Sequence, residues 1–293
     1  MTSFFPERPK HESIRTAICS EKHSDSNPFV AKKTLWHGYD ADKLSANYGW
    51  TEMLFLMSQG ELSTPEQNDL LNKLMAFLAN PGPRDAAVRA AMNCGVGKTP
   101  LATILTTGLT VRGGMAEGSM HVEVAMRLLY GQMAEAEGLS AVDKEAYAKQ
   151  LVSSYRTHWQ KHKDDEVVSL PETLPGFGLY YGERDLRAVK LLNNIKDHCG
   201  NYLQLALEVE GLLSREDDAA HLTLPGVVAA LLCDLGFSPE HGAGIFLVAA
   251  VPGIFAHGVE QLPRNWNEYP FWADSTYYNY EGPEPTKKVG EEK

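Results

Sequence analysis

The sequence lacks the short motifs that mark the commonest metal and nucleophile sites. None of its ten histidines falls in an HExxH pair, and no GxSxG turn presents a serine nucleophile. The four cysteines, Cys19, Cys94, Cys199 and Cys233, form no CxxC pair and no zinc-ligand spacing. We therefore expect no metal site, and the scattered thiols indicate a reducing compartment.

Excess positive charge and long apolar runs are also missing. The 293 residues carry a net charge of -11, which argues against a nucleic-acid-binding protein because such a protein needs a basic face. The first residues show no basic segment followed by an apolar stretch, so they do not look like a signal peptide. The most apolar stretch, residues 243–256, is interrupted by Pro252 and is shorter than the roughly 18 residues of a membrane span. We expect a cytoplasmic protein with no nucleic-acid or membrane partner.

Helical signals fill the chain between a polar beginning and a polar end. The strongest is the segment from Thr64 to Gln67, a capping box with proline in the first turn, followed by one apolar helical face. Thr51 can cap a helix that stops at Gly60. Similar spacing recurs along the chain, including a long run over 186–213, and no hairpin signal stands out. The pattern predicts an all-α protein.

Two glycine-rich segments are candidates for ligand contact. Gly95 to Thr99 resembles the end of a phosphate-binding loop, but an earlier glycine of that motif is missing, so we interpret it as a turn between helices. The segment from Arg112 to Glu123 contains three glycines between two helical runs. A helix that begins after Gly118 would offer free amide groups to an anion.

Glu117 and His121 make this second segment a candidate for proton transfer. Carboxylates and imidazoles are common general acids and bases in enzymes. The competing interpretation is a hinge between domains with a solvent-exposed histidine.

A third candidate segment, residues 174–178, has the sequence Leu-Pro-Gly-Phe-Gly. Its two glycines allow a ligand to approach the main chain closely. Arg187 follows this loop, and Arg264 follows the last long helix. A guanidinium binds a carboxylate through two parallel hydrogen bonds, so separate arginines suit a polycarboxylate. The alternative is that each arginine forms a surface ion pair.

The order of several segments resembles the citrate synthase superfamily, which includes citryl-CoA lyases and the C-terminal module of ATP-citrate lyase. These segments are Trp36 to Leu44, Thr51 to Leu62, Leu101 to Leu129, Leu174 to Gly178, Leu235 to Pro239, Pro252 to His257, Arg264, and Tyr280 to Pro283. The resemblance implies an all-α, citrate synthase-like fold with a large and a smaller helical domain and a cleft between them. It also implies a homodimer, in which an arginine of the partner subunit often reaches the cleft.

We predict domain boundaries on the basis of this resemblance. The large helical domain would comprise residues 31–118 and 239–283, and the small helical domain residues 119–238. Residues 1–30 would be a flexible N-terminal arm, and residues 284–293 a disordered tail.

The resemblance further implies that a carbon–carbon bond is made or broken next to an acyl-CoA thioester, with a carboxylic acid as the other reactant. Relatives use one histidine on the thioester carbonyl, a carboxylate that removes a proton, and a second histidine on the keto acid. Coenzyme A thioester would be a substrate here, and Pro175, Gly176, Phe177 and Gly178 would be the residues that bind it.

The positions that the family uses for catalysis hold other residues in this chain. Leu179 replaces the loop histidine and can neither donate a hydrogen bond nor take a proton. The remaining positions fall, in chain order, near Pro81 for an early histidine, at or near Glu117 for the first catalytic histidine, and near Leu224 or Pro225 for the aspartate.

Three functional hypotheses follow. The first is an enzyme of altered chemistry that uses Glu117, His121 and Tyr180 or Tyr181 for catalysis, and Arg187 and Arg264 for the carboxylate. The second is a non-catalytic binding or regulatory homologue, such as an inactive subunit of a hetero-oligomer. The third is a citryl-CoA lyase or citrate synthase proper, in which His121 and His198 would reach the vacant positions.

Overall fold

Eleven helices and one small sheet make up the described part of the chain in a computed structural model. The structure describes residues 15–133, 141–162, 173–179, 183–198, 200–215, 220–266 and 281–282. The helices are α1 (Ala41–Asn47), α2 (Trp50–Gln59), α3 (Pro65–Leu78), α4 (Ala86–Val96), α5 (Leu101–Arg112), α6 (Ser119–Met133), α7 (Ala141–His162), α8 (Leu186–Asn194), α9 (Asn201–Leu213), α10 (Leu224–Asp234) and α11 (Pro239–Val259). The all-α fold class is confirmed.

A three-stranded antiparallel sheet precedes the helices. Strand β1 (Cys19–His23) pairs with β2 (Ala31–Trp36), which pairs with β3 (Tyr39–Asp40). The expectation of no hairpin is wrong, since β1 and β2 pair antiparallel. The sequence gives no signal for them because the strands are short, largely exposed and polar, and so lack the alternation that marks a half-buried strand. Strand β1 also lies within residues 1–30, where we predicted a flexible arm.

Helix ends follow the local sequence closely at α3 and less closely at α2. At α3 the Thr64 hydroxyl accepts a hydrogen bond from the Gln67 amide, and Gln67 Oε1 accepts one from the Thr64 amide, as a capping box requires. Helix α2 ends at Gly60, whose φ of 82° favours glycine. Its N-cap is Gly49 instead of Thr51, whose hydroxyl donates to Asn68 Oδ1 at 2.6 Å.

The long helical run predicted over residues 186–213 is two helices, α8 and α9. Asp234 of α10 accepts hydrogen bonds from the amides of Tyr202 and Leu203 in the first turn of α9, at 2.8 and 3.2 Å. Because a carboxylate at this place stabilises a helix N-terminus, the chain begins a new helix here.

Helix α10 lies at the centre of the larger hydrophobic core. Ten of its 11 residues are buried, as its uniformly apolar sequence predicts. It packs against α6, α8, α9 and α11. Side chains from both predicted domains share this core, for example Phe55 and Phe237, whose ring centroids lie 5.2 Å apart. The boundary between the two domains remains a prediction.

Helix α11 joins this core to a smaller one, which α4 and α5 form with its second half. It continues through Pro252, and the following amide, of Gly253, donates outside the helix to the Ala79 carbonyl at 2.8 Å. The helix therefore has 21 residues, and its length and composition would allow it to cross a membrane. Half of its most apolar part is buried inside the protein.

Candidate functional site

A cavity of about 730 Å³ lies between the first turn of α4, the last turn of α5 and the first turn of α8. This volume is typical of small-molecule sites. Half of its 16 lining residues are charged, and no histidine is among the lining residues that the structure describes. The charged lining residues are Arg84, Asp85, Arg112, Glu117, Glu183, Arg184, Asp185 and Arg187.

Asp185 fixes the position of Arg187 at the start of α8. Its Oδ1 accepts hydrogen bonds from the Arg187 main-chain amide at 3.0 Å and from Arg187 Nε at 2.9 Å. Its Oδ2 accepts from Arg187 Nη2 at 2.9 Å and from the Leu224 amide at 2.8 Å. Burial raises the pKa of Asp185, but the bonds to Arg187 and Leu224 outweigh burial and hold the pKa below its usual value. Asp185 is therefore an ionised anchor with no free oxygen.

Glu117 contacts the same guanidinium from the loop between α5 and α6. Its Oε2 accepts a hydrogen bond from Arg187 Nη2 at 2.8 Å, and its Oε1 is buried without a partner. Its φ of 56° is left-handed, a conformation that costs a non-glycine residue about 1–3 kcal/mol. Such backbone strain is common at functional sites. Glu117 thus has one oxygen bound to Arg187 and one that is buried without a hydrogen-bond partner.

Burial lowers the pKa of Arg187, but its hydrogen bonds to Asp185 and Glu117 more than compensate, so the pKa lies above its usual value. The guanidinium is therefore a permanent cation with a carboxylate on either side.

Arg112 ends α5 as a second, buried cation in the cavity wall. The residue is 6% exposed, and its Nη1 donates to Asp85 Oδ2 at 2.7 Å. The guanidinium lies 4.2 Å from the centre of the Phe246 ring, within cation–π range. Burial is the main cause that lowers the pKa of Arg112; Asp85 opposes this shift, and nearby Arg187 adds to it. Arg112 and Arg187 are therefore close enough to influence each other.

The structure does not place His121 with Glu117. His121 lies in the first turn of α6, is 7% exposed, and accepts a hydrogen bond from the Gly176 amide on Nε2 at 2.8 Å. Burial lowers its pKa to about 4, so the ring is neutral near pH 7 and Nδ1 carries the proton. The ring holds the loop at residues 174–178 in place and is absent from the cavity wall. The expectation of a solvent-exposed histidine is wrong, because the ring is buried. The catalytic role of His121 stays a prediction.

The loop itself turns its amide groups into the protein. Gly176 donates to His121, Phe177 donates to Leu174, and Gly178 donates to the His221 carbonyl. Pro175, Gly176, Phe177 and Gly178 are not among the cavity-lining residues, whereas Leu179 is. The loop packs so tightly on α10 that a Cβ at Gly226 would lie 2.1 Å from the Gly176 carbonyl oxygen. Its predicted role in binding coenzyme A therefore cannot use these amides in the present arrangement.

Arg264 does not share the cavity with Arg187. It is exposed, and its carbonyl, with those of Gln261 and Leu262, accepts a hydrogen bond from the ammonium of Lys98. This lysine closes the C-terminal end of α11 from the α4–α5 turn, which confirms that the phosphate-loop-like segment is a turn between helices. Tyr180 and Tyr181 lie outside the described residues.

Two further positions that the resemblance suggested for catalytic groups do not contribute to the cavity. Leu224 and Pro225, where relatives would carry an aspartate, are buried in the first turn of α10. His198 Nε2 lies 3.1 Å from Asp234 Oδ2 beside α9, and the residue does not line the cavity. Within the described ranges no three His, Cys, Asp or Glu side chains are grouped as a metal site.

Sequence reasoning missed Arg112, Asp85 and Asp185 as site residues. Asp185 precedes a helical run, so its role as a helix cap was visible, but its contact with Leu224 depends on tertiary structure. The sequence offers no signal for Arg112, because spacing does not reveal that a charged helix-end residue is buried.

Comparisons with known proteins agree with this architecture. No protein-family model and no curated protein matches the chain. Among solved structures, citryl-CoA lyase from Hydrogenobacter thermophilus superposes with a TM-score of 0.70 at 22% identity, over 94% of this chain and 97% of that one. ATP citrate lyase from Methanosaeta concilii, in complex with (3S)-citryl-CoA, gives 0.68 at 18% identity, over 94% of this chain but 43% of its own.

Citrate synthase from Thermotoga maritima gives a TM-score of 0.51 at 14% identity, over 95% of this chain and 96% of that one. All three neighbours share the helical architecture that the sequence segments implied. The chain therefore has the fold of the citrate synthase superfamily.

Proposed function

We propose that this protein makes or breaks a carbon–carbon bond next to an acyl-CoA thioester, with a carboxylic acid as the other reactant. The fold supports this class of reaction, since one neighbour is a citryl-CoA lyase and others are ATP citrate lyases in complex with citryl-CoA or with citrate and coenzyme A. The observation that carries the proposal is the pairing of Glu117 with Arg187 in the cavity wall, with Glu117 Oε1 left free.

Arg187 would hold a carboxylate of the acid. Its Nε and Nη2 already donate to Asp185 and Glu117, so the remaining nitrogen, Nη1, is the one available to a ligand. The side chain is 45% exposed, which leaves this nitrogen accessible from the cavity. A charge-assisted bond to a rigidly held guanidinium fixes the orientation of the acid as well as its charge.

Glu117 would handle the proton. In the cleaving direction its free oxygen accepts the proton of the substrate hydroxyl. The adjacent carbon–carbon bond then breaks into a carbonyl and an enolate of the thioester, and Glu117 returns the proton to the enolate carbon, which restores its carboxylate. In the condensing direction Glu117 removes a proton from the acyl methyl group, the enolate attacks the carbonyl, and Glu117 gives the proton to the new alkoxide. This role replaces a histidine of the relatives by a carboxylate.

The start of α6 would stabilise negative charge on the enolate oxygen. Gly118 lines the cavity and α6 begins at Ser119, so the positive end of a 15-residue helix faces this space. Amide groups at a helix N-terminus can partly replace the missing histidine donors, because they need no reorganisation during the reaction.

We further propose that the protein is a homodimer and that Arg264 acts in the cavity of the partner subunit. Its exposure and its absence from the cavity wall of its own chain are consistent with this role.

The substitution Glu117→Gln tests the catalytic proposal. Glutamine retains the bond to Arg187 but does not accept the proton, so we expect turnover to fall about 100- to 10,000-fold with little change in ligand affinity. Turnover is measured with citryl-CoA in the cleaving direction and with acetyl-CoA and oxaloacetate in the condensing direction, by release of products and of free thiol. Glu183→Gln, which changes another acid of the same wall, serves as the matched control.

A non-catalytic binding protein is the second candidate. It is favoured by Leu179 in the cavity wall and by the buried Leu224 and Pro225, which leave two usual catalytic positions without a titratable group. Calorimetric titration that detects binding of citrate or coenzyme A, together with no turnover in either direction by the wild-type protein, would select this candidate.

A further inference from the structure

The ammonium of Lys98 is bound to a short segment of main chain at the end of α11. Its Nζ donates hydrogen bonds to the carbonyls of Gln261 at 3.2 Å, Leu262 at 2.6 Å and Arg264. A lysine ammonium has three N–H donors, so all of them are engaged. Lys98 therefore joins the turn between α4 and α5 to the chain that leaves α11.

The position of these carbonyls explains why a cation binds there. They follow the last turn of α11, where carbonyl groups lack partners within the helix and carry partial negative charge. A positive side chain at a helix C-terminus is stabilising for the same reason. Because the acceptors belong to three residues of one segment, the bonds also fix the path of that segment.

The main chain of Lys98 is itself firmly held. Its φ of 57° is left-handed, a conformation that is unfavourable for a residue with a Cβ and persists only where the surroundings fix it. The Lys98 amide donates to the Gly95 carbonyl at 3.1 Å. Gly95 in turn packs so closely on α11 that a Cβ there would lie 2.1 Å from the Gly258 carbonyl oxygen. Lys98 is therefore anchored where two helix ends meet.

Arg264 is an exposed side chain that this anchored segment carries. Its carbonyl binds Lys98, and its amide donates to the Gln261 carbonyl at 3.3 Å. The backbone of Arg264 is therefore held on both sides while the residue remains exposed. A charged group on a fixed backbone loses less freedom when it binds a ligand, so the ligand binds more tightly.

We propose that Lys98 is a positioning residue for Arg264, because it fixes the main chain from which this arginine reaches the cavity of the partner subunit. The proposal rests on the proposed function, which assigns Arg264 to that cavity. Lys98 is not among the cavity-lining residues of its own chain, so its effect passes through Arg264.

A purely structural role for Lys98 is the alternative to be excluded. The bonds of Lys98 link the α4–α5 turn to α11, and residues of α4 and α5 line the cavity of the same chain. A structural role therefore predicts damage to the cavity of the subunit that carries the substitution. A positioning role predicts damage to the cavity of its partner.

The first step of the test is the activity of Lys98→Met alone. Methionine keeps an aliphatic chain but removes the ammonium, so we expect turnover of citryl-CoA to fall about 10- to 100-fold, the effect of a misplaced binding group. Lys33→Met, which changes an exposed lysine of β2, is the matched control and should alter turnover by less than about 2-fold.

Subunit mixing then separates the two roles. Lys98→Met assembled with an equal amount of Glu117→Gln should recover about a quarter of wild-type activity, since each mixed dimer has one cavity with an intact Glu117 and a correctly placed partner arginine. Lys98→Met assembled with Arg264→Gln should recover none, because both substitutions remove the arginine that each subunit gives to its partner. A structural role predicts the opposite pattern, with recovery only in the second mixture.

Lys98→Arg is the second variant if Lys98→Met does not fold, as judged by circular dichroism and thermal melting. Arginine keeps the charge, but its planar guanidinium cannot direct three N–H groups to the same three carbonyls, so a smaller loss with the same mixing pattern is expected. Full activity of the variants, or any other mixing pattern, overturns the role of Lys98 while the proposed function stands. Absence of turnover by the wild-type protein would remove the proposed function, and this proposal with it.

Discussion

At the scale of single residues, two carboxylates bind the same arginine and differ in what they can do. Asp185 makes four hydrogen bonds and has no oxygen left, whereas Glu117 makes one and keeps a second oxygen free. Their difference arises from position. Asp185 caps a helix and meets α10, while Glu117 belongs to a strained loop. We assign proton transfer to Glu117, because its second oxygen has no hydrogen-bond partner.

His121 gives a prediction about acid stability. Its pKa is about 4 in the folded protein and about 6.5 when unfolded, so below pH 6.5 the unfolded chain binds the proton more readily. The stabilising effect of the neutral ring is complete above pH 6.5 and is lost as the pH falls towards 4, a loss of about 3 kcal/mol.

Urea unfolding of the wild type and of His121→Gln between pH 4 and 7.5 measures this effect. The advantage of the wild type should shrink by about 3 kcal/mol as the pH falls over this range. A difference between the two proteins that stays constant with pH would contradict the assignment of a neutral, buried ring.

At the scale of elements, α4 and α11 approach each other through glycine. A Cβ at Gly95 would lie 2.1 Å from the Gly258 carbonyl oxygen and 2.9 Å from Gln261 Cβ. The Gly258 carbonyl cannot move away without shifting α11. The smaller core, and with it the α4 side of the cavity, depends on this contact.

We predict that Gly95→Ala destabilises the protein by about 1–3 kcal/mol, because the added methyl group separates two packed helices. Gly244→Ala is the matched control, since Gly244 lies within α11 and a Cβ there meets nothing within 4 Å. That substitution should stabilise the protein by about 0.5–1 kcal/mol, the gain in helix propensity. Chemical denaturation midpoints measure both; a neutral Gly95→Ala would show that the helices tolerate separation.

At the scale of the whole molecule, the sequence predicted the fold class, because caps and apolar periodicity act locally. The helix signals at Thr64 and Gly60 hold in the structure. The sheet was missed because β1 carries no alternating pattern, and the break between α8 and α9 was missed because it depends on Asp234, distant in sequence.

The site was harder to predict than the fold, and again for physical reasons. Glu117 and Arg187 meet in one cavity as the first hypothesis requires, although they are far apart in sequence. Glu117 and His121 are four residues apart, but Glu117 precedes the helix, so helical periodicity does not bring them to one face. The burial of Arg112 results from tertiary packing against Phe246.

Subunit mixing tests the proposed dimer. If Arg264 completes the cavity of the partner, Glu117→Gln and Arg264→Gln should each have low activity alone. Equal amounts assembled together should recover about a quarter of wild-type activity, since half of the dimers are mixed and each of these has one intact site. Sedimentation analysis establishes the dimer, and a mixture no more active than its components would indicate that Arg264 does not act across an interface.

The hydrogen bond from Leu224 to Asp185 joins the cavity wall to the helix at the centre of the larger core. Substitutions at Asp185 are therefore strongly constrained, because any replacement would change the start of α8, the orientation of Arg187 and the packing of α10 together. Position 117 is under no comparable structural constraint, since it lies in a loop outside both hydrophobic cores. New reactions could arise on this scaffold by exchanging that one side chain while the cation that grips the acid remains in place.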